Sequence, residues 1–176
     1  EKEDIRLLVL SKDPQATEQE YGVHAMNRYN LFKIRTALKQ SKLLIFGGGS
    51  LIQDVTSDKS LWYYLTVVKQ AVGLNVPVMF YANGIGPVTK AKNRDVLNKV
   101  DVISLRDTNS YYEIKRMGVG LDRVKITADP ALTIDGINRD EARALLAEEG
   151  VPAGKKLLGI SIRSWWSCKP SFWNQL

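Results

Sequence analysis

Short apolar runs separated by stretches of helical spacing constrain this chain more than any other feature. Six such runs, at residues 5–10, 43–46, 76–82, 100–105, 124–127 and 157–162, read as strands. Most are continuously apolar rather than alternating, the pattern of strands covered on both faces. Helical stretches begin near Asp13-Pro14, Asn30, Asp58, Thr89, Asp107 and Asn138. Several open on a side chain that can cap free N–H groups. Asp58 precedes an apolar pattern, Asp107 precedes Ser110, and Asn138 precedes an Ala/Leu/Glu-rich run that Gly150 closes. Repeated strand-helix alternation predicts a largely parallel sheet with right-handed crossovers. The expected class is α/β, a Rossmann-like parallel sheet with helices on both faces.

Composition removes several kinds of chemistry. The 176 residues include one cysteine, Cys168, and one histidine, His24, so an intramolecular disulfide is excluded and no His/Cys cluster has metal-ligand spacing. No metal is expected. Serine or cysteine nucleophile chemistry would run through His24, which follows Tyr21-Gly22-Val23 in an expected loop. Cys168 has no evident activating base and is assigned no role. The formal net charge of +6 is compatible with anionic ligands or a membrane surface. Lys and Arg are dispersed, so a nucleic-acid partner is not expected. No apolar run approaches the ~20 residues of a membrane span.

Residues 1–135 read as one compact domain, 136–156 as linker and helix, and 157–176 as a strand and loop that begin a second domain. The chain opens on Glu1-Lys2-Glu3-Asp4 and stops at Trp173-Asn174-Gln175-Leu176 without a helix-stop signal. It therefore reads as a piece of a longer polypeptide. Its apolar surface is then expected to make the piece self-associate.

Four segments at strand ends can carry chemistry. Gly47-Gly48-Gly49-Ser50-Leu51-Ile52-Gln53-Asp54 follows the second run. Glycines there let backbone approach a ligand, or they make a tight turn to a helix. The segment is neither G-x-G-x-x-G nor a phosphate-binding loop with Gly-Lys-Ser/Thr. Tyr81-Ala82-Asn83-Gly84-Ile85-Gly86-Pro87 follows the third run, with Asn83 as donor and acceptor or the whole as a plain connection. Ser104-Leu105-Arg106-Asp107 ends the fourth run; Arg106 can hold a carboxylate or phosphate, and Asp107 fits a helix cap better than an acid. Asp129, in Thr127-Ala128-Asp129-Pro130-Ala131, suits sugar hydroxyls or turn amides. In an open parallel sheet, ligands bind beyond the carboxyl ends of the strands, where all four segments fall. The aromatic run Leu61-Trp62-Tyr63-Tyr64-Leu65 reads as core packing before a sugar-stacking platform.

Taken in order, these segments resemble the polysaccharide pyruvyl transferase family, nearest to its CsaB type of bacterial cell-wall polymer assembly. The resemblance rests on Gly47 to Ser57, Tyr81 to Pro87, Ile103 to Asp107 with Ser110, Met117-Gly118-Val119 and Thr127 to Ala131. Tyr21-Gly22-Val23, Asn27-Arg28 and Gly159-Ile160-Ser161-Ile162-Arg163 also fit. The likeness implies the N-terminal half of a GT-B-like two-domain enzyme, without its first strand and without the later C-terminal segment that carries Arg and His. It implies transfer of a pyruvyl group from phosphoenolpyruvate to a sugar of a wall polysaccharide or its polyprenyl-linked precursor, as a ketal. Phosphoenolpyruvate is the donor substrate and no cofactor is implied.

On that likeness Arg163 and Arg106 are expected to bind the donor. Gly47, Gly48, Gly49, Ser50, Gln53, Asp54, Asn83, Gly84, Gly86, Asp107 and Asp129 are expected to line the acceptor site. The catalytic acid and base are not assigned, and the piece alone is expected to be inactive. The expected place is the cytoplasm, at the inner face of the membrane with peripheral contact. Two alternatives stay open: a GT-B glycosyltransferase with a nucleotide-sugar donor, and a non-catalytic sugar- or anion-binding module.

Overall fold

The computed structural model describes residues 5–55, 57–89 and 94–160. Two compact units divide the chain, Glu1–Ile134 and Asp135–Leu176. The first contains β1 (Leu8–Ser11), α1 (Pro14–Tyr21), β2 (His24–Asn27), α2 (Leu31–Leu38), β3 (Leu44–Phe46), β4 (Gly49–Ile52) and α3 (Asp58–Val72). It continues with β5 (Val78–Ile85), α4 (Arg94–Leu97), β6 (Val102–Leu105), α5 (Thr108–Arg116), β7 (Val124–Ile126) and a 3₁₀ turn (Pro130–Thr133). Every strand pair is parallel. β1 and β2 form one sheet; β3, β5, β6 and β7 form another in that order, with β4 also on β5. Helices flank these sheets, giving the expected α/β, Rossmann-like class.

The helices start where their caps dictate. Asp13, Asn30 and Asp107 each accept a backbone N–H from three residues on. Ser57 rather than Asp58 caps α3, which leaves Asp58 in the first turn, where a negative charge faces the helix dipole. On α3, Leu61, Leu65 and Val68 recur at helical spacing and are buried. They join a core with Phe80, Ile103, Leu105 and Ile114, all fully buried. The register Phe46↔Phe80, Phe80↔Ile103 and Ile103↔Val124 lines these side chains up on one face of the sheet. Truncating Phe80 to alanine in such a core costs about 3–5 kcal/mol.

The structure corrects the sequence reading in several places. His24 lies in β2, paired with Leu8, and not in a loop. The first run forms a strand over Leu8–Ser11, with residues 5–7 outside it. The glycine segment is not simply a strand end, because pairing resumes at Gly49↔Asn83. β6 occupies one edge of β5, so β3 and β4 follow each other along the other edge. The second apolar run and Gly49–Ile52 are thus one interrupted strand line. β5 correspondingly continues through Asn83 to Ile85, where a loop was expected. Its slip against β6 falls between Phe80 and Asn83, and Ala82 there adopts φ +49°. The positive φ of Ala82 thus coincides with the irregularity in the ladder. The helix expected from Thr89 is seen as Arg94–Leu97; residues 90–93 lie outside the described residues.

In the second unit, α6 (Arg139–Glu148) is capped by Asn138, which accepts from the N–H groups of Asp140 and Glu141. Gly150, at φ +74°, ends it. The Gly150 N–H donates to Ala147 O at 3.0 Å and the Val151 N–H to Leu146 O at 2.8 Å, the paired closure of a left-handed C-terminus. Residues 157–160 are not paired as a strand, and 161–162 lie outside the described residues. No helix among the described residues is long and apolar enough to cross a membrane.

Candidate functional site

Ser50 of β4, the carboxyl end of β5 and the start of α5 after β6 border an open pocket of about 290 Å³, lined by Ser50, Gly84, Gly86, Asp107, Asn109 and Glu113, among others. Three strand ends are stitched together beneath it. Ser104 Oγ accepts the Ala82 N–H at 3.2 Å and meets Thr127 Oγ1 at 2.6 Å, which links β5, β6 and the residue after β7. Ser110 Oγ accepts the Ile85 N–H at 2.8 Å and donates to Asp107 Oδ2 at 3.0 Å. Asp107 also takes the Ser110 N–H at 2.7 Å. Both its oxygens are engaged in the helix cap, so it borders the pocket as a positioned acceptor.

Arg106 crosses the mouth of this edge. Its Nη1 donates to Asp129 Oδ2 at 2.7 Å and its Nη2 to Ser50 Oγ at 3.2 Å. Asp129 is held below its ordinary pKa first by the Ala131 N–H and then by Arg106. The guanidinium charge is therefore compensated within the protein. Gly84 makes this possible: a Cβ there would stand 2.6 Å from Ser50 Oγ and 3.5 Å from Arg106 Nε. Gly86, at φ +96°, is open for the same kind of reason, since a Cβ would run into the Glu113 side chain.

Sequence reasoning missed Glu113. It lies on α5 three residues beyond Ser110, and that helical spacing toward the cap was the available signal. Its Oε1 accepts the Val88 N–H at 2.7 Å and Arg116 Nη2 at 2.6 Å. The Arg116 bond is the main reason its carboxyl sits below the usual glutamate range, against an opposing effect of burial. It is a carboxylate at neutral pH and an acceptor, not a proton donor.

The expected site residues thus divide. Ser50, Gly84, Gly86 and Asp107 line the pocket, with Arg106 and Asp129 paired beside them. Asn83 does not open into it. That side chain is fully buried, and its Nδ2 donates to Phe46 O, Gly47 O and Tyr81 O at 2.8, 2.9 and 3.1 Å. It clamps the break between β3 and β4. Asp54 binds the N–H and hydroxyl of Thr89, both at 2.7 Å, and so ties the end of the glycine segment to the segment after β5. Gly47, Gly48, Gly49 and Gln53 lie on the same strand line but do not line the pocket. Arg163 lies outside the described residues, as does Cys168. Among the described residues no group of three or more His, Cys, Asp or Glu is placed to hold a metal ion.

In its lining, the pocket offers hydroxyls, an amide and carboxylates, and the arginines beside it are already paired. That surface suits a polyol better than a free anion. No curated protein and no solved structure matches the chain. The family model described as polysaccharide pyruvyl transferase matches residues 1–175. With the match running over nearly every residue, the chain belongs to the polysaccharide pyruvyl transferase family.

Proposed function

We propose that the polypeptide transfers a pyruvyl group from phosphoenolpyruvate to two hydroxyls of a sugar, releasing inorganic phosphate and leaving a cyclic ketal. The observation that carries this reading is the pocket between β4, β5 and α5, where Ser50, Asn109, Asp107 and Glu113 can meet sugar hydroxyls. In the proposed reaction one acceptor proton goes to the methylene carbon, which becomes a methyl group. The other leaves with phosphate. Both hydroxyl oxygens end bonded to the former enol carbon. Protonation of that carbon creates an oxocarbenium-like electrophile and needs a general acid. Glu113 is a poor one because Arg116 holds it ionised, and Asp107 is tied to Ser110. We therefore read the 176 residues by themselves as inactive. The acid, and Arg163 as a donor-binding cation, are assigned to a second domain in a GT-B-like arrangement.

The acceptor we propose is a wall-polymer sugar on a polyprenyl-diphosphate carrier, met at the inner face of the membrane. The test mixes phosphoenolpyruvate with membranes bearing that precursor and follows phosphate release. The complete polypeptide is expected to release phosphate only when acceptor is present, and this chain alone to release none. Absence of release from the complete polypeptide, with binding of a nucleotide sugar, would overturn the reading in favour of a glycosyltransferase.

A further inference from the structure

Positive charge along the carboxyl ends of the strands is unevenly compensated. Arg106 is paired with Asp129 and Arg116 with Glu113, at 2.7 and 2.6 Å. Arg28 is different: among the described residues it has no carboxylate partner. It follows β2, and its N–H donates to Ser11 O at 2.8 Å, which sets it at the carboxyl ends of β1 and β2 together.

Three tyrosines surround it. The guanidinium carbon lies 5.2, 5.4 and 5.9 Å from the ring centroids of Tyr29, Tyr63 and Tyr64. Tyr64 packs edge-on against Phe46, the last residue of β3, with centroids 6.1 Å apart. The cluster therefore stands where the glycine break begins. Ring faces stabilise the cation without replacing its in-plane acceptors. Nη2 reaches the Tyr64 hydroxyl at a long 3.4 Å, Nε is buried with no acceptor, and Nη1 makes no hydrogen bond among the described residues. A guanidinium has five N–H donors, and this one is left nearly unused. Arg123, whose Nε is likewise buried without an acceptor, differs in that its Nη1 donates to Asn98 O and Val100 O at 2.8 and 3.2 Å, and Arg116 donates to Val88 O at 2.7 Å. Arginines that staple this fold have carbonyls to hold. Burial also raises the Tyr63 hydroxyl above its ordinary pKa, with Arg28 acting the other way, so it remains a neutral donor beside the cation.

We propose that Arg28, oriented by Tyr29, Tyr63 and Tyr64, receives an oxyanion of the phosphate class at the carboxyl end of β2. The inference rests on the pyruvyl-transfer reading only for which oxyanion arrives, since the phosphoenol donor and a diphosphate carrier both bring one.

The test titrates inorganic phosphate into the 176-residue chain against chloride at matched ionic strength. It follows the Arg28 guanidinium resonance by nitrogen-15 NMR, assigned from its loss in Arg28→Lys. A saturable shift at Arg28 is expected. Arg28→Met is expected to weaken phosphate binding about tenfold or more, while Arg143→Gln on α6 changes it by less than about twofold. An Arg28 resonance that phosphate leaves unmoved, or unchanged affinity in a folded Arg28→Met, would overturn the proposal. If Arg28→Met does not fold, the resonance of the unsubstituted chain still decides. Competition by phosphoenolpyruvate or by pyrophosphate tells the donor from the carrier. Phosphate bound at Arg28 by a protein that transfers no pyruvyl group would sink the transfer reading and leave this one standing.

Discussion

The Asn83 amide holds the backbone of Gly47: Nδ2 donates to its carbonyl at 2.9 Å and to the preceding Phe46 carbonyl at 2.8 Å. Strand pairing is interrupted at Gly47 and Gly48, so the Gly47 carbonyl lacks a regular sheet neighbour at the point where β3 gives way to β4. A fully buried side-chain donor supplies it. Buried backbone carbonyls need such partners.

Replacing the amide by an acid inverts this arrangement. Asn83→Asp keeps the shape but sets a carboxylate against three carbonyl oxygens. We expect it to destabilise the fold by at least about 3 kcal/mol at neutral pH. The buried acid would have a pKa above its unfolded value of about 3.9. Its penalty is then smallest below that value and grows as pH rises toward the folded pKa. Chemical denaturation at a series of pH values reads this directly; a pH-independent loss would show that the carboxylate is hydrated or has swung out.

Gly84 and Ser50 form a second coupled pair. The Cβ of Gly84→Ala would stand 2.6 Å from Ser50 Oγ, so the serine must turn away and lose the bond from Arg106 Nη2. Overpacking of this kind costs about 1–3 kcal/mol. Ser50→Ala removes the obstructing oxygen, so the double variant should be more stable than Gly84→Ala alone. A double-mutant cycle measures the coupling, and strict additivity would mean that the clash is relieved elsewhere.

How far the fold was legible follows from these same residues. The continuous apolar runs gave a parallel α/β core, because Phe80, Ile103 and Leu105 are buried by their own strands' packing. Caps such as Asp107 and Asn138 were readable because their hydrogen bonds are local. β4 was hidden: Gly49 and Ser50 are poor strand formers, and pairing to β5 makes them a strand regardless. β2 was hidden in the same way, since His24 and Asn27 mask a four-residue strand that exists through β1. At the site, Gly84 and Asp107 were recognisable as strand-end residues. The burial of Asn83 and the compensation of Arg106 by Asp129, 23 positions away, arise only once distant segments meet.

The three consecutive glycines are not equivalent, and stability should say so. Gly49 adopts φ +104°, a conformation closed to side chains with a Cβ, while a Cβ on Gly48 would meet only Ala82 O at 3.8 Å. Gly49→Ala is expected to cost about 1–3 kcal/mol of backbone strain, and Gly48→Ala to stay within about 0.5 kcal/mol. Thermal melts of the two single variants separate them. Equal losses would show that the break tolerates neither residue for a reason other than φ.

The Arg106–Asp129 pair carries a pH signature of definite sign. Asp129 titrates below its ordinary range, first because the Ala131 N–H and then because Arg106 Nη1 binds its ionised form. A carboxyl with a lowered folded pKa contributes stability that is fully present above the unfolded aspartate value. That contribution is lost as pH falls through the folded value. Asp129→Asn should therefore be less stable than the unsubstituted chain at neutral pH, and the gap in Tm should close on acidification as Asp129 is protonated. Because the pair is partly open to water, the neutral-pH gap should also shrink in concentrated salt. A gap that neither acid nor salt reduces would mean that the asparagine disturbs the 3₁₀ turn at Pro130 and not the charge pair. The same variant removes the counter-charge from Arg106. Phosphate affinity that rises in Asp129→Asn would show that the pairing competes with an anion for Arg106.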